Sequence, residues 1–267
     1  MLTHGNAVKN WLWLSCAVLL VMGCADAVFQ KGPQRYSSSI VEYLYPSKKT
    51  DSATDSLPKD ASETPSIPRL VLPLHVGIAF VPDGGSSLSA YHLTEKNRLD
   101  LMERISAEFK SLPSIQDIQL IPSTYLRSGG GFSNVDELGR MYGINVIVLL
   151  AYDQVQHTDE GLLSLSYWTI VGAYTVKGEM NDTSTLMDAA VYDIRSRKML
   201  FRAPGTSHVK GTATLINRPE QMRIDASQGF TLAADELVIN LRAALENFHK
   251  QVRQSPDNYI IEQKPSR

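Results

Sequence analysis

Leu72-Pro73-Leu74-His75-Val76-Gly77-Ile78-Ala79-Phe80-Val81 is a continuous apolar run closed by Pro82-Asp83-Gly84-Gly85. A run of this length without polar alternation reads as a strand covered on both faces, the pattern of a strand inside a parallel sheet. The residues that follow support the same reading. Residues 94–111 predict a helix with Thr94 as its N-cap, because Leu101, Met102, Ile105, Phe109 and Leu112 recur at helical spacing. Residues 115–122 predict a second strand. After the Gly129-Gly130-Gly131 loop, residues 134–142 predict a short helix capped by Ser133 and stopped by Gly143. Residues 144–151, Ile-Asn-Val-Ile-Val-Leu-Leu-Ala, predict a third buried strand. Strand–helix–strand–helix–strand implies neighbouring parallel strands joined by right-handed crossovers.

Downstream the pattern changes. Residues 162–177, 185–194 and 198–203 read as successive antiparallel strands, with Arg195-Ser196-Arg197-Lys198 turning the last pair. Phe230, Ala234, Leu237, Leu241, Leu245, Phe248 and Val252 then mark a long amphipathic helix against the sheet. The tail from Gln254 is polar and expected to fray. The expected class is α/β, in two or three layers. Its mixed sheet has a parallel β-α-β-α-β start, antiparallel strands after it and a long C-terminal amphipathic helix. The domain is expected over residues 70–253, with a polar tail at 254–267.

Upstream of the core the sequence reads as an address. Lys9 is the only full positive charge before an apolar run, Trp11 to Met22, that ends in Gly23-Cys24. About a dozen apolar residues fall short of the roughly 20 needed to span a bilayer as a helix, but match a signal-peptide core with a small residue at the cleavage point. Val21-Met22-Gly23-Cys24 resembles a lipobox. Residues 1–23 are therefore expected to be cleaved between Gly23 and Cys24, leaving Cys24 with diacylglycerol and an N-acyl chain. The only other cysteine, Cys16, lies in the discarded peptide. A single exported thiol has no disulfide partner, and a thioether at Cys24 removes that liability. Ala25 in place of the retention aspartate points to the outer membrane, on its periplasmic face. Residues 24–46 then form a membrane-proximal segment. Residues 47–69, rich in Ser, Thr, Pro, Asp and Lys, read as a disordered linker of 23 residues.

Charge and motifs exclude more than they assign. The chain has 26 Lys+Arg and 28 Asp+Glu. Removing the leader, with one Lys and no acid, leaves 25 against 28, a net charge of −3. With no basic stripe, nucleic acid is not an expected partner. The glycines at 129–131 lack the Lys-Ser/Thr of a phosphate loop and the spacing of a dinucleotide fingerprint. Gly84-Gly85-Ser86-Ser87 gives the same result. His75, His92, His157, His208 and His249 show no metal-ligand spacing, and His75 reads as a hydrogen-bonded core residue. No G-x-S-x-G elbow occurs. Asp188 and Asp193 are an odd number of residues apart, so a strand places them on opposite faces. No catalytic residue, cofactor or metal site is expected.

Two features invite an interaction reading. Tyr167-Trp168-Thr169-Ile170-Val171-Gly172-Ala173-Tyr174 is either a core strand or a patch that recruits another chain, through Trp168 and Tyr174. Ser37 to Pro46 sets Ile40, Val41, Tyr43, Leu44 and Tyr45 between the anchor and the polar linker. Such a motif cannot form a core alone. It docks on its own domain, or Ile40, Tyr43, Leu44 and Tyr45 pack on a partner or membrane interface.

The lipobox cysteine, Ser37-Ser38-Ser39-Ile40-Val41-Glu42-Tyr43-Leu44-Tyr45-Pro46, a polar linker and an α/β domain together resemble the rhombotarget lipoproteins. Val171-Gly172-Ala173-Tyr174 adds to the likeness. The resemblance covers the whole chain and implies genomic company with rhomboid-type proteases, with no catalytic residues to transfer. More distantly, the order of elements over residues 72–203 is similar to the α/β domain of curli-secretion lipoproteins, which implies protein binding or oligomerisation. The expected function is a non-enzymatic envelope adaptor or accessory factor, tethered to the membrane by its lipid and bound to an envelope protein. A homo-oligomeric secretion component and an enzyme with an unrecognised site are the alternatives.

Overall fold

The computed structural model describes residues 34–46, 67–84, 93–160, 179–213 and 217–263, all within one unit, Gln34–Arg267. The parallel start is as expected. Strand β3 (Leu74–Phe80) lies between β4 (Ile115–Ile121) and β5 (Val146–Glu160), parallel to both. Thr94 Oγ1 accepts from Asn97 N–H at 3.2 Å and caps helix α2 (Glu95–Ala107). Helix α3 (Gly131–Tyr142) makes the second crossover. The strand order β4-β3-β5 reverses direction between the two crossovers, so right-handedness puts α2 and α3 on opposite faces. α3 begins earlier than expected, with Gly130 rather than Ser133 as its cap. Gly129 and Gly131 have φ of +65° and +61°, so the glycines shape the turn into the helix. Gly143 closes α3 at φ +67°.

The antiparallel part is a meander of long strands, β5, β6 (Glu179–Asp193) and β7 (Lys198–Ala213). All three exceed their expected lengths. The expected strand at 162–177 lies outside the described residues. Helix α4 (Arg218–Gln254) covers this meander and starts well before Phe230. On the α4 side, β5 presents Val146, Val148, Leu150, Tyr152, Gln154 and Gln156 in one alternating row. The row turns polar before the strand ends, which hid its length in the sequence.

Four further features depart from the sequence reading. Pro73, after a cis Leu72–Pro73 bond, separates β3 from a short strand β2 (Arg69–Leu72). β2 pairs in parallel with β8 (Ile260–Gln263). The tail after Gln254 therefore carries a strand, with the Arg69–Glu262 ion pair across it. His75 is hydrogen bonded as expected, to Asp117, but its side chain is 40% exposed rather than in the core. The fourth is the secondary structure of the segment before the polar linker. Gln34–Ser37 is strand β1, antiparallel to β5, and Ile40–Leu44 is helix α1, capped by Ser39. Residues 47–66 thus connect two elements of one domain.

The sheet has two cores. β3, β5, β6 and β7 face α2 and α4 on one side, through Phe80, Met102, Leu150, Met187 and Leu237. The other side holds α1 and α3, through Ile40, Leu44, Val81, Leu138 and Leu149.

Candidate functional site

An open α/β sheet binds ligands outside the carboxyl ends of its strands, where the strand order reverses. Here that crevice lies between the ends of β3 and β5, and residues 34–46 occupy it. Ser38 N–H donates to the Tyr152 carbonyl at 2.8 Å, and Gly84 N–H donates to the Ser37 carbonyl at 3.1 Å. Tyr152 N–H donates to Ser38 Oγ at 3.1 Å. α1 lies beside the amino-terminal end of α3. The Tyr43 hydroxyl donates to Asn134 Oδ1 at 2.9 Å, and burial pushes its phenol pKa up. Asn134 also accepts from Arg127 N–H and donates to the Tyr125 carbonyl, which closes the glycine loop.

Beside this seal lies the most buried ion pair among the described residues. Arg98 donates two hydrogen bonds to Asp83, at 2.7 and 2.8 Å, and one to the Leu93 carbonyl. Asp83 Oδ1 also accepts from the Tyr152 hydroxyl at 2.8 Å, and burial, then Asp83, push that phenol up. A buried arginine against a partly exposed carboxylate near a crevice suggests chemistry, but these groups saturate one another. Breaking such a pair is strongly destabilising. It ties α2 and β5 to the segment that follows β3.

The sequence-predicted site residues divide accordingly. Ile40, Tyr43 and Leu44 are 6%, 3% and 4% exposed and belong to the domain's own core. Docking on the domain is the alternative that holds, and burial removes these three from an outward interface. Tyr45 and Val41 remain exposed. Gly23, Cys24, Trp168 and Tyr174 lie outside the described residues. Among the described residues, no group of three or more His, Cys, Asp or Glu is placed to hold a metal. No described helix is long and apolar enough to cross a membrane.

A second site lies at the opposite end of the sheet, where sequence reading gave no sign of one. A cavity of about 380 Å³ opens between the amino-terminal ends of β3 and β5, β7 and the last turns of α4, with β2 and β8 as a wall. Leu74, Val76, Val148, Leu200, Leu241 and Leu245 line it. Among the described residues, Ser114, His249 and Arg253 are its polar groups, and its lining includes no Asp or Glu. Phe248 packs on Phe201 and Tyr259, each at 5.4 Å between ring centroids, and props the β8 side. The volume is within the usual small-molecule range of about 300–1,000 Å³. Apolar walls give water few partners, so the favourable occupant is apolar.

No protein-family model matches the chain, and no curated protein is similar to it. Solved structures show weak likeness. A homolog of the neuraminyllactose-binding hemagglutinin from Helicobacter pylori has 8% identity and TM-score 0.37, over 67% of this chain and 90% of that one. A PelC dodecamer from Paraburkholderia phytofirmans has 12% identity and TM-score 0.26, over 64% and 94%. Protein CT253 from Chlamydia trachomatis has 15% identity and TM-score 0.29, over 65% and 96%.

Proposed function

We propose that this protein is a non-enzymatic envelope lipoprotein of the rhombotarget kind. In this reading Cys24 carries the lipid, and the α/β domain is held at the periplasmic face of the outer membrane as an adaptor for another envelope protein. The single observation that carries the reading is the docking of residues 34–46 into the sheet. It fills the crevice where a fold of this order would otherwise bind substrate. It also sets the length of the tether. Only residues 25–33 separate Cys24 from β1, a reach of at most about 33–36 Å fully extended. Residues 47–66 add nothing to that reach, so the domain works close to the bilayer.

The test is labelling with a clickable fatty acid in cells, combined with crosslinking and mass spectrometry on the native chain and Cys24→Ala. The reading predicts label on the native chain alone, and crosslinks to one or two envelope proteins that disappear with the anchor. An unlabelled native chain would contradict the anchor. Crosslinks unchanged in Cys24→Ala would contradict the tethered adaptor.

One observation favours self-assembly as a second reading. β7 is the last strand of its sheet among the described residues and is 16 residues long, so its outer edge offers a pairing surface. Pro204 and Lys210 on it discourage such pairing. Size measurement in mild detergent separates the readings, and a monomer would eliminate the second.

A further inference from the structure

We propose that the cavity between β3, β5, β7 and the last turns of α4 binds one single-chain fatty carboxylate. The alkyl chain lies among Val76, Val148 and Leu241, and the carboxylate sits at Arg253 and His249. Three observations lead there. First, the walls are largely apolar and mostly aliphatic, with Phe109, Phe201 and Phe248 among them, so an alkyl body suits them. Second, the polar lining is one-sided. Ser114, His249 and Arg253 supply donors and a fixed positive charge, and among the described residues no carboxylate lines the space to favour a cationic head. His249 and Arg253 are one helical turn apart on α4, and Arg253 Nε donates to the His249 carbonyl at 3.2 Å, which fixes the guanidinium at the rim. Third, the size suits one chain. A volume of about 380 Å³ lies near the lower end of the usual small-molecule range of about 300–1,000 Å³. That scale fits one alkyl chain better than a paired-chain phospholipid.

The way in is set by the weakest part of the wall. β2 and β8 form a two-stranded sheet of four residues each, and such a pair is marginal by itself. Leu70, Leu72 and Ile261 line the cavity from this pair. Its opening would admit a chain without disturbing the main sheet. None of these residues depends on Cys24, so the inference stands or falls apart from the anchoring proposal.

The experiment titrates the full chain with dodecanoate by calorimetry, in a bile-salt detergent so that no alkyl-chain detergent competes. Dodecyltrimethylammonium supplies the same chain under the opposite charge. Expected are one dodecanoate per chain and a clear preference for the anion. Arg253→Gln should weaken dodecanoate by roughly two- to fivefold, the scale of one solvent-facing ion pair, and not weaken the cation. Val148→Phe should abolish binding while circular dichroism reports a folded chain. Leu245→Trp fills the same space from the helix side should Val148→Phe fail to fold. The proposal is overturned by absence of saturable binding, by binding that survives in a folded cavity-filled variant, or by equal affinity for the two heads. Preferential uptake of phosphatidylglycerol from vesicles would overturn the single-chain assignment.

Discussion

Helix α4 lies along β5, β6 and β7 for its whole length, yet the two halves of that interface are packed by different rules. In the half near the β5–β6 connection, the sheet offers Gln154, Gln156, Thr183, Thr185, Ser207 and Gly211, and the helix offers Met222, Asp225, Ala226 and Gly229. Gln154 Nε2 donates to Thr185 Oγ1 at 2.8 Å and to the Ala226 carbonyl at 3.1 Å. Gln156 Nε2 repeats this with Thr183 Oγ1 at 3.2 Å and the Met222 carbonyl at 2.8 Å. The rungs match because two residues along a strand, about 6.8 Å, nearly equal four along a helix, about 6.0 Å. Ser207 Oγ adds a bond to the Gly229 carbonyl at 2.7 Å. In the other half the same strands present Val146, Val148, Val191 and Leu200 to Leu241, Leu245 and Phe248, and the cavity lies between them. Amides and glycines fix one register at close range. Large aliphatic side chains leave a half that can accept a guest.

The largest effect is expected where the close half begins. A Cβ on Gly205 would overlap the Ala233 carbonyl and the Leu237 backbone nitrogen, neither of which can turn aside. Gly205→Val is expected to cost about 3 kcal/mol or more in urea unfolding, above the usual overpacking range of about 1–3 kcal/mol. A wild-type midpoint would dissolve the distinction between the halves. Next in size is Gln154→Leu, which leaves the Ala226 carbonyl and the Thr185 hydroxyl without their buried donor. A loss of about 1–3 kcal/mol is expected. A neutral result would mean that the amide ladder does not set the register.

These residues also show what could be read in advance. β3, α2 and its Thr94 cap were legible, since an uninterrupted apolar run and a helical stripe each state their burial directly. The far ends of β5 and α4 were not. Their inward positions are Gln154, Gln156, Asp225 and Gly229, which look like surface residues until their partners are known. Gln154 and Gln156 do continue the alternating row from Val146 through Tyr152, and that period was the available signal. β8 is four residues long and depends on β2, from which it is distant in sequence. The docking of residues 34–46 was one of two open alternatives, decided by Ser38 meeting Tyr152 and by Tyr43 meeting Asn134. The cavity had no sequence signal, because a void is the space that neighbouring side chains fail to fill.

The smallest effect concerns acid. Hydrogen bonds from the Thr206 hydroxyl and N–H hold the Glu236 carboxyl below its usual range. The Gln119 amide, and then His75, do the same for Asp117. A carboxyl with a depressed folded pKa stabilises above its unfolded value, about 4, and that contribution is lost as pH falls through the folded value. Melting temperature should therefore decline slightly below about pH 4, and Glu236→Gln should reduce the decline. Both groups face solvent, so salt should weaken the effect. A decline unchanged in Glu236→Gln would remove this clamp on β7 from the account of the close half.

The most direct test adds one carbon at each end of the interface. A methyl on Gly211 would meet the buried Asp225 carboxylate, whereas one more carbon at Val148 enters the cavity. Thermal and urea unfolding of Gly211→Ala and Val148→Leu should shift in opposite directions. The first is expected to lose at least about 1 kcal/mol, and the second to gain about 0.5–2 kcal/mol by filling space. Destabilisation of both variants to a similar degree would mean that the two halves are equally full, and would contradict a receptive end in this fold.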